Sequence, residues 1–220
     1  EDYKKGYSGT SSPLIVGDMV ITGIAGGEYG ARGFIDAYAL TSGERLWRRY
    51  TVPSEGEKGV ETWAGDSWKT GGGPTWAIGT YDPQTDLLYW PVGNPSPDWN
   101  GDVREGDNLY TNSVLALDPK TGEMKWYYQF TPHDLWDYDA TNGIVVDDIV
   151  VDGKTVRVLM QPNRNGYVYV LDAATGAYMK GFQYTDRLTW STGLDANGRP
   201  QVNPEAVPQA GEAGDPACPG

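Results

Sequence analysis

The segment TPHDLWDYDATN, residues 131–142, places Asp134, Asp137 and Asp139 close together in the chain, and only Tyr138 separates the last two. In an extended strand, side chains two positions apart project to the same side, so an extended reading stands the carboxylates of Asp137 and Asp139 next to each other. Like charges that close repel and raise one another's pKa. A bound cation would offset that cost, and carboxylate oxygens suit a hard ion.

Other chemistries are less well supplied. His133 is the only histidine, and no nucleophilic serine or cysteine motif and no second histidine accompany it, so a structural hydrogen-bonding role is expected for it and for Asp134. Asp137 and Glu28 could form the carboxylate pair of a glycosidase. That pairing leaves Asn94, Trp76 and the glycine-rich loops without a purpose.

The elements that must position these residues are β-strands. The chain of 220 residues is rich in turn formers and aromatics, with 30 Gly, 15 Pro, 9 Trp and 15 Tyr against 3 Phe, a composition expected of many short strands. Its formal charge of -13 disfavours nucleic acid or an anionic membrane surface as partner. No apolar run reaches the roughly 18 residues of a membrane-spanning helix. The chain opens without Met or a leader and enters a strand-like segment almost at once, so an internal fragment is expected. Cys218, the single cysteine, is either free or parted from its partner.

A weak repeat organises the chain. AYALTSGERLW (37–47), TYDPQTDLLYW (80–90), LALDPKTGEMKW (115–126) and YVLDAATGAYMK (169–180) align on Gly43, Asp86, Gly122 and Gly176. Each reads strand, turn, strand, with Trp47, Trp90 and Trp126 four residues past the anchor and Lys180 in the last copy. Repeats of about 40 to 50 residues with a strand-end Trp are expected of a β-propeller, each Trp packing between blades. A β-sandwich would supply strands and turns but not the recurring hairpin. Long loops rich in Gly, Pro and Asp, at 25–33, 52–76 and 93–108, are of the length that carries function. The segment 193–220 lacks periodicity and is expected to be an extended loop ending one partial propeller domain that spans 1–220.

These loops resemble a known family. TSSPLIVGDMVITGIAGGEYGARGFIDAY, GDSWKTGGGPTW, GNPSPDWNGDVREGDNLYTNSVLALDPKTGEMKWYYQFTPHDLWDYDATN and PNRNGYVYVLD together look like the middle of a quinoprotein alcohol dehydrogenase, nearer its ethanol-type than its methanol-type branch. The resemblance implies about half of an eight-bladed propeller that oxidises primary alcohols with pyrroloquinoline quinone and a metal ion. It implies Glu28, Asn94 and Asp137 as metal ligands, Asp137 also being the catalytic base. Asp139 stands where lanthanide-using members carry an additional aspartate, and Gly27 also matches that type, so a lanthanide is expected, with calcium as the alternative. Trp76 matches the platform under the quinone ring, Arg164 the cation at its oxygens, and Thr10 a hydroxyl contacting a cofactor carboxylate; Ala25 replaces a serine of some relatives. The resemblance further implies a periplasmic protein that passes electrons to a cytochrome c, and it leaves a homodimer open.

Bland readings stand beside these. Two aspartates in isolation are more often solvated turn residues, Arg164 could be a plain surface charge, and Trp76 could be a core tryptophan like Trp47 and Trp126. A non-catalytic propeller binding protein partners would keep Trp47, Trp90 and Trp126. It would have no reason to keep Glu28, Asn94, Asp137 and Arg164 together.

Overall fold

A computed structural model describes residues 2–208; Cys218 and the end of the expected terminal loop lie outside them. Three four-stranded antiparallel sheets follow one another, each with its strands in sequence order. The first holds β1 (Leu14–Val16), β2 (Met19–Thr22), β3 (Phe34–Ala39) and β4 (Arg45–Tyr50). The second holds β5 (Thr80–Asp82), β6 (Leu87–Val92), β7 (Ser113–Leu117) and β8 (Met124–Gln129). The third holds β9 (Val145–Val151), β10 (Lys154–Pro162), β11 (Tyr167–Asp172) and β12 (Tyr178–Gln183). A two-stranded ribbon of β13 (Ser191–Leu194) and β14 (Pro200–Val202) follows, so the segment expected to be an extended loop from 193 opens with strand pairing.

The second sheet is sandwiched between its neighbours, and its sequence shows it. Leu88, Trp90, Val92, Leu115 and Leu117 pack with Ile21, Ile35, Ala37 and Trp47 of the first sheet. Leu87, Tyr89, Val114 and Ala116 pack with Leu159, Tyr169 and Leu171 of the third. Both faces of β6 are therefore apolar, and every residue of LLYWPV is buried. This is the continuous hydrophobic run of a strand covered on both sides.

Three of the four aligned hairpins are equivalent. They join β3 to β4, β7 to β8 and β11 to β12, and their turn glycines Gly43, Gly122 and Gly176 have φ of 71°, 70° and 73°. The left-handed turn is easy for glycine. Trp47 of β4 lies over Gly122 of the next sheet, where an added Cβ would stand 2.6 Å from the indole, and Trp126 of β8 lies over Gly176 in the same way, at 2.4 Å. Each sheet thus clasps the next by a tryptophan on a bare turn.

Trp90 does not belong to that set. TYDPQTDLLYW is the β5–β6 hairpin, the first of the second sheet, so Trp90 sits on an interior strand opposite Leu115 and donates to Thr75 O at 3.4 Å. The second aligned copy, 80–90, is therefore a different hairpin with a similar turn. Trp47 and Trp126 also differ in one respect. The Trp47 indole donates to Pro119 O at 3.0 Å, whereas the buried Trp126 indole nitrogen has no partner; the carbonyl at the matching position, Ala173 O, accepts instead from the Tyr89 hydroxyl at 2.8 Å.

Candidate functional site

The glycine-rich loop before Trp76 is stitched to both neighbouring strands by its backbone. Gly73 N donates to Asn94 O, Gly93 N to Pro74 O and Gly33 N to Gly72 O, each at 2.8 Å, and Thr75 N donates to Ile24 O at the same distance. The chains approach so closely that a Cβ on Gly33 would stand 1.8 Å from Gly73 O. Backbone contact of this kind excludes any larger residue. Thr75, fully buried, receives Ile24 N at 2.8 Å and donates to Phe34 O at 2.5 Å. Its successor Trp76 is thereby delivered to the surface at 37 % exposure, and Thr10 Oγ1 donates to Trp76 O at 3.2 Å.

The aspartate segment is not the extended strand expected of it. Residues 137–144 lie outside any strand, and Asp137 and Asp139 have φ of 57° and 48°, a left-handed conformation that aspartate tolerates better than most residues. The cause is Asp134. Fully buried, it accepts from Trp136 N at 2.8 Å, Tyr138 N at 2.7 Å and Asn112 Nδ2 at 2.7 Å, while Asn112 Oδ1 accepts from Ala140 N at 3.0 Å. These bonds curl the chain. Trp136 and Tyr138 then enter the core against Trp190, each ring centre 5.1 Å from it, and the intervening aspartates stay out of that cluster. His133 is structural as expected, its Nδ1 2.8 Å from Gly106 O.

At Asp139 meet residues from the loops before β5 and after β6 and from the turn after β10. Its Oδ2 accepts from the Trp76 indole at 2.9 Å and lies 3.8 Å from Arg164 Nη1. Its Oδ1 accepts from Asn94 N at 3.2 Å. Gly93 makes room for this carboxylate, since a Cβ there would stand 2.1 Å from Asp139 Oδ1. Arg164, on the turn after β10, keeps 53 % of its side chain exposed. Glu28 sits exposed on a 3-10 turn, Gly27–Tyr29. A Cβ on Gly27 would meet Pro74 at 2.7 Å, so loop packing alone accounts for that glycine.

The cluster is electrostatically short of positive charge. Burial, then the charge of Asp137, pushes the Asp139 carboxyl up to about 7, against the pull of Asn94 N, Trp76 and Arg164. Asp98, which the sequence reading passed over, is pushed up to about 6 by burial and by Asp137 and Glu28. The Asp137 carboxyl is raised by burial, Asp134 and Glu28, with Arg164 opposing. The charge of Asp137 thus raises both Asp139 and Asp98, and that of Glu28 raises both Asp98 and Asp137.

These groups fit a hard cation. Asn94 is almost fully buried and its Oδ1 has no hydrogen-bond partner, an expense that an oxygen-seeking ion would relieve. Among the described residues no three acidic, histidine or cysteine side chains form a ready-made metal cage; the oxygen donors are spread over Glu28, Asn94, Asp137 and Asp139. Trp76 beside them offers a half-open flat face for a conjugated ring. Sequence reasoning missed Gly93 and Asp98. The one signal for Asp98 was an acid four residues after an asparagine whose amide nitrogen needs an acceptor.

Comparison with known proteins places the chain in a family. Residues 1–185 match the family model described as the PQQ glucose/ethanol/alcohol dehydrogenase, beta-propeller domain. The quinoprotein alcohol dehydrogenase PedH of Pseudomonas putida is 45 % identical over 95 % of this chain and 38 % of its own length. A lanthanide-dependent methanol dehydrogenase of Methylorubrum extorquens is 40 % identical over 91 % of this chain and 37 % of its own length. Among solved structures, a europium-containing methanol dehydrogenase superposes with a TM-score of 0.91 at 36 % identity, covering 96 % of this chain and 40 % of that one. The chain therefore spans well under half the length of these relatives. Its three consecutive sheets are part of a quinoprotein propeller, and the chain belongs to the pyrroloquinoline quinone-dependent alcohol dehydrogenase family.

Proposed function

We propose that the protein containing this chain oxidises primary alcohols to aldehydes, with Asp137 as general base, in a site holding pyrroloquinoline quinone and a metal ion. The observation that carries the reading is the meeting at Asp139 of Trp76, Asn94 and Arg164 beside the unpartnered Asn94 Oδ1. The quinone, when bound, supplies a two-electron hydride acceptor whose carbonyl the ion polarises. Glu28, Asn94, Asp137 and Asp139 are the residues to hold that ion, and Trp76, Arg164 and Thr10 those to hold the quinone.

Asp137 removes the hydroxyl proton of the alcohol while hydride departs from its carbon, which requires an ionised carboxylate. In the protein alone that carboxyl is raised by burial, Asp134 and Glu28; holding a cation among these acids removes the repulsion and keeps the base charged. Arg164 stands ready to balance negative charge developing on the cofactor side. Trp76, clamped through its N–H to Asp139, would hold a flat face on which the quinone ring could rest.

A lanthanide is the favoured ion and calcium the alternative. Asp139 adds a further carboxylate, which a trivalent ion rewards more than a divalent one, and relatives at 45 % and 40 % identity include one named lanthanide-dependent. A periplasmic location and a cytochrome c acceptor complete the proposal; a relative 39 % identical is named methanol dehydrogenase [cytochrome c] subunit 1. The test is dye-linked ethanol oxidation by the full-length protein, with and without quinone, lanthanum and calcium. Quinone-dependent turnover that falls by about 10²–10⁴ in Asp137→Asn is expected. Absence of turnover with either ion overturns the enzyme reading in favour of a scaffold.

A further inference from the structure

The side-chain amide of Asn94 is held from one end only. Its Nδ2 donates to Asp98 Oδ1 at 2.5 Å and to Pro95 O at 3.1 Å, while its buried Oδ1 meets no partner. Two acceptors on one side identify that end as the nitrogen, because an amide oxygen cannot donate. Of the two, the carboxylate is much the nearer and carries charge, which makes its bond the stronger.

Asp98 is itself kept in place. Arg104, fully buried, donates through Nη2 to Asp98 O and through Nε to Pro97 O, both at 2.9 Å. The same guanidinium donates to Asp134 O at 2.5 Å and Asn108 Oδ1 at 2.8 Å. The loop that carries Asn94 and Asp98 is thereby tied to the segment that carries Asp137 and Asp139. Removing Asp98 leaves Pro95 O as the only acceptor for Nδ2. An amide turned end for end would then aim two N–H donors where the cation needs an oxygen.

We propose that Asp98 is a positioning residue, whose carboxylate locks the Asn94 amide so that Oδ1 is presented to the metal. The inference rests on the metal role proposed above for Asn94. Outer-shell partners of metal ligands typically contribute 10–100-fold in metal affinity, and with Pro95 O retained the lower end of that range applies here.

The test is a terbium(III) titration, followed by terbium emission, of the full-length protein loaded with quinone. Asp98→Ala is expected to weaken terbium about tenfold, and Asp98→Asn, which keeps an acceptor oxygen and loses the charge, less than about threefold. In an Asn94→Asp background, where no amide needs orienting, Asp98→Ala is expected to cause no loss. Equal losses in Asp98→Ala and Asp98→Asn overturn the proposal in favour of a direct charge effect. Equal losses from Asp98→Ala in both backgrounds overturn it in favour of a general structural role. Should Asp98→Ala fail to fold by circular dichroism, the near-isosteric Asp98→Asn decides alone, a tenfold loss there overturning the proposal. Wild-type protein that binds no terbium overturns the metal reading itself; wild-type binding with no effect of Asp98→Ala overturns only this inference.

Discussion

The indole N–H of Trp76 donates to Asp139 Oδ2 at 2.9 Å, across 63 residues of chain. One bond thus couples the proposed cofactor platform to the proposed metal ligand. The face and the edge of the indole do separate work, and substitution can divide them. Trp76→Phe keeps an aromatic face and loses the donor, so quinone affinity should hold within severalfold while metal affinity falls about tenfold. Trp76→Ala should lose both. Parallel titrations of full-length protein with quinone and with terbium read the two effects, and equal losses of both in Trp76→Phe would contradict the division.

Gly93→Ala should disturb the same carboxylate from the other side. The added Cβ stands 2.1 Å from Asp139 Oδ1 and 3.0 Å from Pro74 Cγ, and the backbone cannot retreat, because Gly93 N donates to Pro74 O and Gly93 O accepts from Asn112 N, both at 2.8 Å. Overpacking of this kind costs about 1–3 kcal/mol. Urea denaturation should show that loss, with metal affinity falling in the same variant. Unchanged metal binding in Gly93→Ala would mean that Asp139 has freedom the packing denies it.

Much of this was written in the chain, and the exceptions have physical causes. The strand-end tryptophans Trp47 and Trp126 were legible because each needs a bare turn glycine in the next sheet, and Gly122 and Gly176 are where those rings land. Trp90 followed the same spacing by accident. Its hairpin turns through Asp86, also at positive φ, 51°, and only strand pairing distinguishes the first hairpin of a sheet from its last. For Asp137 and Asp139 the expected extended backbone was wrong: Asp134 gathers Trp136 N and Tyr138 N from its own turn and Asn112 Nδ2 from 22 residues away, and period-two alternation along the sequence encodes neither the turn nor that partner. Asp98 was invisible for a related reason. Its meaning lies in the orientation of another side chain.

The ion pair between Asp82 and Arg157, neither of them a proposed site residue, has a stability effect of definite sign. Asp82, almost fully buried, accepts from Arg157 Nη2 at 2.7 Å and Nε at 3.2 Å. Burial alone would raise its carboxyl; hydrogen bonds from Arg157, the Thr85 hydroxyl and Gln84 N outweigh that and lower it from 3.8 to about 2. A depressed folded value stabilises above the unfolded pKa, and the gain is lost as pH falls from 3.8 towards about 2. The linked stabilisation is about 2 kcal/mol. Asp82→Asn should therefore lower the Tm clearly at pH 7 and much less near pH 2. A Tm difference independent of pH would show that the charge contributes nothing.

Asp134 touches neither proposed ligand nor substrate and yet shapes the site. Its two oxygens collect Trp136 N, Tyr138 N and Asn112 Nδ2. Asp134→Asn has nearly the same shape but replaces one of those acceptors with a donor, which must then face a buried N–H or the Asn112 amide. Whichever way the new amide turns, at least one buried donor goes unsatisfied, at about 1–3 kcal/mol each and more for a bond to charge. The strain falls on the residues that hold Asp137 and Asp139 in their left-handed conformations. Stability should drop by about 3 kcal/mol in urea, and below the unfolding transition the variant should also bind terbium more weakly than wild type, because the curl that gathers the aspartates is loosened. A variant that lost stability and kept wild-type terbium affinity would place the organisation of the two aspartates elsewhere, in the packing of Trp136 and Tyr138 against Trp190.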